Sequence, residues 1–193
     1  MFADDTKIYA NPLLFYGTLR QDLKRIEKWC ADWLIPLKIS IEKCAVLHLG
    51  VNNPRLPYAI YGTPITLCAS YTDLGVVMTE GLGWSEHVDS VCRKASQRCF
   101  LFDRVFGNCS VSTCSQLLKS YIRPILEYAG PVWDTRFRKD SDRLEKIQRR
   151  VTRMPYGYSR PDYEDRLRIL KLTTLEQRRL RGDLITTFKH SRL

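Results

Sequence analysis

At Gly81-Leu82-Gly83 the pattern of the chain changes, and that change limits the possible folds more than any other feature. Before it, short runs rich in β-branched and aromatic residues are separated by Asn, Pro and Gly, the punctuation of strands and turns. After it there is no strand signal, and apolar residues recur at helix spacing to the end. A domain boundary is therefore expected here. The fold class is α+β: a small antiparallel sheet with one packed helix, then an all-α bundle. A length of 193 residues allows one medium domain or two small ones, and 44% hydrophobic residues argue for a packed core rather than disorder.

The first segment opens with Met1-Phe2-Ala3-Asp4-Asp5, followed by the short alternating run Thr6 to Tyr9. This spacing predicts a β-hairpin with the acidic pair at its turn. Adjacent carboxylates repel unless a cation sits on them. Oxygen ligands of this kind suit Mg²⁺, although a solvated Asp-Asp turn has the same sequence. Asn11-Pro12 breaks the hairpin, and an amphipathic helix is expected from about Tyr16 to Leu34. Lys38 to Leu49 reads as extended, with a strand over Cys44–Leu49. A short strand around Tyr58–Tyr61 turns at Gly62-Thr63 and returns through Ile65–Leu67. A further strand, Thr72 to Met78, contains Leu74-Gly75-Val76.

In the second segment a long helix is expected from Trp84 to Phe106, stopped by Gly107-Asn108. The next begins near Ser112-Thr113 and carries Pro124 inside it, which either kinks the helix or breaks it at Arg123. Trp133 and Phe137 are expected to cover this core. A third helix spans Ser141 to Met154, with Leu144, Ile147, Val151 and Met154 as its apolar stripe. Arg143, Lys146, Arg149, Arg150 and Arg153 crowd its other positions. Guanidinium forks bind phosphate oxygens in pairs, so this is the expected face for a nucleic-acid backbone. A solvated basic helix would look the same. A short helix follows Pro161, and the last opens at Thr174 with Gln177 three positions on, the spacing of a capping box.

The net charge of +10 is unevenly placed. Residues 1–133 hold 14 Lys and Arg against 12 Asp and Glu, whereas residues 134–193 hold 17 against 9. A basic C-terminal third points to a polyanionic partner. The 7 cysteines are scattered without a CxxC, and the 3 histidines are not at zinc spacing from them. They read as reduced core residues of an intracellular protein. No apolar run approaches the roughly 18 residues of a membrane span, and no signal peptide precedes the acidic pair.

Several blocks, taken together and in order, resemble the reverse transcriptases of non-LTR (LINE-type) retrotransposons. Phe2-Ala3-Asp4-Asp5 resembles the catalytic hairpin of the polymerase palm. Downstream come Glu42-Lys43-Cys44 with Val46-Leu47-His48-Leu49-Gly50, then Tyr71-Thr72-Asp73-Leu74-Gly75-Val76. Ser120-Tyr121-Ile122-Arg123-Pro124-Ile125-Leu126-Glu127-Tyr128 and Leu144-Glu145-Lys146-Ile147-Gln148-Arg149-Arg150 complete the set. Ser40 stands where the family commonly has asparagine.

The resemblance implies that residues 1–80 are the C-terminal part of a palm and residues 84–193 a basic helical thumb with a C-terminal extension. It implies RNA-directed DNA polymerase chemistry, with an RNA template, a DNA primer and deoxynucleotides as partners, and no membrane. Asp4 and Asp5 would be metal ligands for Mg²⁺ or Mn²⁺. Lys43 would stand at the leaving pyrophosphate, where developing negative charge needs a cation. Tyr71, Leu74 and Gly75 would form the primer grip. The location implied is nucleus and cytoplasm, in the element's ribonucleoprotein. The family's other catalytic aspartate and its fingers would precede Met1, so the expectation is a fragment that is inactive as a polymerase by itself. The other reading is a non-catalytic basic helical module that binds nucleic acid, or a degenerate remnant.

Overall fold

A computed structural model describes residues 6–12, 17–33, 41–133, 137–159 and 161–191. The chain divides into two compact units, Met1–Gly83 and Trp84–Leu193. Helices and short strands are both present, with the strands confined to small sheets in the first unit. This mixed content agrees with the α+β expectation.

In the first unit, helix α1 spans Thr18–Asp32 and buries Leu23 and Cys30. These two lie on one stripe at helix spacing, and the helix packs against strand β2, Ala59–Ile60. Glu27 adds a polar tie, its carboxylate accepting from the Tyr61 amide at 2.6 Å. Strand β1 is Ala45–Leu47, preceded by one 3₁₀ turn over Ile41–Lys43, so the extended segment starts later than the sequence suggested.

Strands β2 and β3 (Thr63–Pro64) pair antiparallel, as do β5 (Ser70–Asp73) and β6 (Val76–Thr79). Each hairpin closes through two residues at positive φ, Tyr61-Gly62 and Leu74-Gly75. Left-handed residue pairs match the twist of two-residue hairpins. Leu74 and Gly75 are thus a turn: the segment Thr72 to Met78, read from its residues as a strand and from the resemblance as a hairpin, is two paired strands. β1 departs from the antiparallel expectation: it pairs in parallel with β4 (Thr66–Cys68), Val46 opposite Leu67. The β2–β3 hairpin between them supplies the crossover that a parallel pair needs.

In the second unit, α2 spans Ser85–Phe106 and buries His87, Val88, Val91, Ala95, Cys99 and Phe102, while Phe106 is exposed. The next helical stretch runs as α3 (Val111–Leu117), a wider π turn (Leu118–Ile122) and α4 (Arg123–Glu127). Its cap is Ser110, whose hydroxyl accepts from the Thr113 amide at 3.1 Å, earlier than expected. Pro124 neither breaks nor ends the helix. The Arg123 amide reaches the Leu118 carbonyl across the wide turn. A π turn beside the proline relieves the clash its ring would make with the preceding turn.

Helix α5 is Arg138–Val151 and packs chiefly on α2. Trp133 is buried, its indole Nε1 donating to the Tyr128 carbonyl at 2.8 Å, whereas Phe137 is exposed at the start of α5 and covers no core. Helices α6 (Tyr163–Ile169) and α7 (Leu175–His190) close the unit. The Thr174 and Gln177 side chains and backbones bond reciprocally at the start of α7, completing the capping box. Of α7's apolar residues only Leu175 is buried.

The centre of this unit holds Val88, Ala95, Leu118, Ile122, Leu126, Leu144 and Val151, each at most 1% exposed. Leu118→Ala should lower stability by about 2–5 kcal/mol, because its site is closed on all sides and a cavity would remain. Urea denaturation followed by circular dichroism reads this; a loss under about 1 kcal/mol would mean that the site collapses around the alanine.

Candidate nucleic-acid interface

The core of the helical unit contains an ionic cluster. Gln148 is completely buried and Arg123 is 5% exposed. The Arg123 guanidinium donates to the Gln148 side-chain oxygen at 3.2 Å and to the Thr173 carbonyl at 3.1 Å. The Gln148 amide nitrogen lies 3.0 Å from both the Tyr163 hydroxyl and the Thr173 carbonyl. Tyr163 donates to the Glu145 carboxylate through a short bond. The other Glu145 oxygen accepts from the Leu175 amide at 2.9 Å. The Arg123 charge is met by neutral acceptors rather than by a carboxylate, and its burial is offset by those charge-assisted bonds, while the Glu145 oxygens are taken by Tyr163 and the Leu175 amide. Burial and the Glu145 carboxylate push the Tyr163 phenol well above its ordinary value. At the surface Arg178 grips Glu127 with two bonds of 2.5 and 2.8 Å. The two blocks of the helical unit that carried the family resemblance are therefore joined through the core, by Arg123 and Gln148.

This anchoring fixes which side of α5 faces outward. Arg143 pairs with Asp89 of α2, with Asp140 3.7 Å away, and Arg150 pairs with Asp103 at 2.6 Å. Lys146, Arg149 and Arg153 are exposed, and no ion pair holds them among the described residues. The Arg149 guanidinium lies 4.7 Å over the Tyr163 ring. A groove of about 940 Å³ runs along this face between Cys92 and Ser96 of α2 and the arginines of α5. A second cavity of about 300 Å³ opens beside Arg149, Arg153 and Arg166. Positive side chains at a groove wall focus potential on a polyanion. Exposed ion pairs such as Arg150–Asp103 contribute little to stability, so a phosphate can displace their carboxylates at small cost.

In the first unit, Lys43 is the exposed last residue of the 3₁₀ turn before β1. Tyr71 lies on β5 opposite Met78, and Leu74 and Gly75 form the turn three residues on. Lys43 and this hairpin are not joined by any described bond. Asp4 and Asp5 lie outside the described residues. Thr6 to Ala10 are described and are not in a strand, so the expected return strand of the acidic hairpin is absent there. Instead Lys7 pairs with Asp73 at 2.5 Å, fastening this segment to the edge of the β5–β6 turn. Among the described residues no three His, Cys, Asp or Glu side chains converge as metal ligands. All 7 cysteines are free thiols, and burial pushes Cys99 up to about 11 and Cys114 up to about 12. No described helix is long and apolar enough to cross a membrane.

Sequence reasoning did not single out Arg123, Glu145, Gln148, Tyr163 or Arg166. One signal was available: Gln148 sits between Leu144 and Val151 on the apolar stripe of α5, where an amide must find partners inside the core. No protein-family model matches the chain, and no curated protein or solved structure is significantly similar to it.

His87 gives this unit a pH dependence. It is 1% exposed, its ring edge-on to Trp133 at 4.8 Å, and burial, with Lys94 adding to it, lowers its pKa below the ordinary 6.5. As pH falls below about 6.5 the unfolded chain takes up this proton first, so stability is lost on acidification and unchanged above that value. His87→Phe should flatten the fall in melting temperature between about pH 7.5 and 5, relative to the unaltered chain. Parallel pH profiles would exclude the assignment.

Proposed function

We propose that this chain is the palm end and thumb of an RNA-directed DNA polymerase of the non-LTR retrotransposon type, and that these 193 residues do not copy a template by themselves. Asp4 and Asp5 would hold Mg²⁺ or Mn²⁺, hard cations suited to adjacent carboxylates. A divalent cation held there would supply charge neutralisation for phosphoryl transfer. The chain's own residues supply the surroundings. Lys43, exposed at a turn, offers a cation to the departing pyrophosphate. Tyr71 and the Leu74-Gly75 turn brace the primer end, where a glycine permits close approach of a strand. Arg143, Lys146, Arg149, Arg150 and Arg153 contact the backbone of the template–primer duplex.

The observation that carries this reading is the Lys7–Asp73 ion pair. It ties Lys7, from the segment that follows the acidic pair in sequence, to the hairpin that would grip the primer. The pattern of blocks along the sequence supports the same reading. The remaining carboxylate and the nucleotide pocket would come from the fingers and first palm half of such an enzyme.

Templated primer extension with Mg²⁺ or Mn²⁺ tests this. The chain alone should give no product. Supplied with the fingers and first palm half of a polymerase of this type, it should support synthesis that Asp4→Ala reduces by at least about 10²-fold. Synthesis unaffected by Asp4→Ala would refute the role of the acidic pair.

A second reading, a non-catalytic basic module, is favoured by the unpaired arginines of the α5 face. Under either reading, binding to an RNA–DNA duplex should weaken steeply with salt, and removing one cation that neutralises a phosphate should reduce the log–log slope by about 1. Lys146→Ala and Arg153→Ala should each do so. Under the second reading complementation yields no synthesis, and binding survives Asp4→Ala.

A further inference from the structure

The 300 Å³ cavity beside α5 has a composition that backbone binding alone does not explain. It is lined by Arg149, Arg153, Pro161, Asp162, Tyr163 and Arg166. Arg166 is 3% exposed, and one of its terminal nitrogens donates to the Arg149 carbonyl at 3.0 Å. Its Nε is buried and has no hydrogen-bond partner. No described ion pair links Arg149, Arg153 or Arg166 to a carboxylate. The Nε is shut off from the cavity, so an anion there would meet the remaining terminal nitrogen of Arg166 together with the exposed Arg149 and Arg153 guanidiniums, whose charge no described carboxylate offsets. Burial first, and then repulsion from Arg153 and Arg149, lowers the pKa of Arg166, as expected of a cation short of counter-charge.

The charge balance selects the anion. Among the described lining residues, three guanidiniums and the carboxylate of Asp162 leave a net of +2. A phosphodiester within a strand carries one negative charge, whereas a phosphate monoester carries nearly two at neutral pH. A recess also admits the end of a strand more readily than its middle. The Tyr163 ring, flanked by Arg149 at 4.7 Å and Arg166 at 5.3 Å, forms an apolar wall beside the charge.

We propose that this cavity binds the terminal phosphate monoester of a nucleic-acid strand, with Arg166 at its base and Arg149 and Arg153 at its rim. The proposal rests on the nucleic-acid reading above and deepens it: the chain holds an end as well as a backbone. Arg166 supplies one charged donor at the base, held in place by its bond to the Arg149 carbonyl, and Arg153 the exposed charge at the rim.

The test compares one single-stranded DNA sequence bearing a 5′-phosphate, a 3′-phosphate or hydroxyls at both ends, by fluorescence anisotropy with the full chain at fixed salt. One of the phosphorylated forms should bind about tenfold tighter than the hydroxyl form, the scale of a charge-assisted, bidentate contact. Arg153→Glu is at an exposed position and should keep the fold; the ratio of affinities should drop to about one. Arg166→Lys keeps the charge but not the planar group that bonds the Arg149 carbonyl and faces the cavity at once, and should reduce the ratio as well. Equal affinities for all three ends would overturn the end-binding proposal while leaving nucleic-acid binding intact. No binding of any of them would overturn the end-binding proposal, and the RNA–DNA duplex titration above decides the nucleic-acid reading separately. Tight binding of adenosine monophosphate without a gain for either phosphorylated strand would overturn the assignment to a strand end.

Discussion

The helical unit depends on a polar cluster with Arg123 and Gln148 buried at its centre and Glu145 and Tyr163 half-buried at its edge. Arg123, Gln148, Glu145 and Tyr163 meet with the Thr173 carbonyl and the Leu175 amide, so α4, α5, α6 and the start of α7 converge on one point. Apolar packing alone would tolerate small rotations of α5 about its axis. A fork, an amide and a carboxylate with fixed donor directions do not, because any rotation leaves a buried group unsatisfied. The cluster therefore sets register where the surrounding leucines supply most of the stabilisation.

That register decides what the surface presents. With Gln148, Leu144 and Val151 turned inward, Arg143, Lys146, Arg149, Arg150 and Arg153 face outward or toward α2. Part of the resulting charge is neutralised by Asp89 and Asp103, and part is left without a counter-ion beside Arg166. The first unit is built more lightly, from two-residue hairpins and one three-residue parallel pairing, and its ties are polar: Glu27 to Tyr61, Lys7 to Asp73, Arg55 to Glu80.

Much of this architecture could be read from the chain. The periodicity of α1, α2 and α7 places those helices within a few residues, and Thr174 with Gln177 marks the start of α7 because the two side chains satisfy each other's backbone donors. The parallel pairing of β1 with β4 was not legible, since three residues carry no usable periodicity and the partner lies some twenty positions away. Leu74-Gly75 was read into a strand because Leu-Gly-Val continues the apolar run; the left-handed turn is a choice made by the flanking pairing. Of the interface, the basic face of α5 followed from spacing. The burial of Arg123 and Arg166 did not, because arginine is normally a surface residue and only tertiary packing reveals an enclosed one. The acidic pair was the most informative motif in the sequence, and it stands outside the described residues.

The energetic coupling between Arg123 and Gln148, measured by a double-mutant cycle in urea denaturation, tests most directly whether this cluster sets the orientation of α5. Arg123→Met and Gln148→Leu should each cost about 3 kcal/mol, because each strands a buried partner. The double variant should be less destabilised than the sum of the two by at least about 1 kcal/mol, since neither polar group then remains unsatisfied. Additive losses would contradict the account: the two side chains would then be independent, and the orientation of the basic face would have to be set by the apolar core alone.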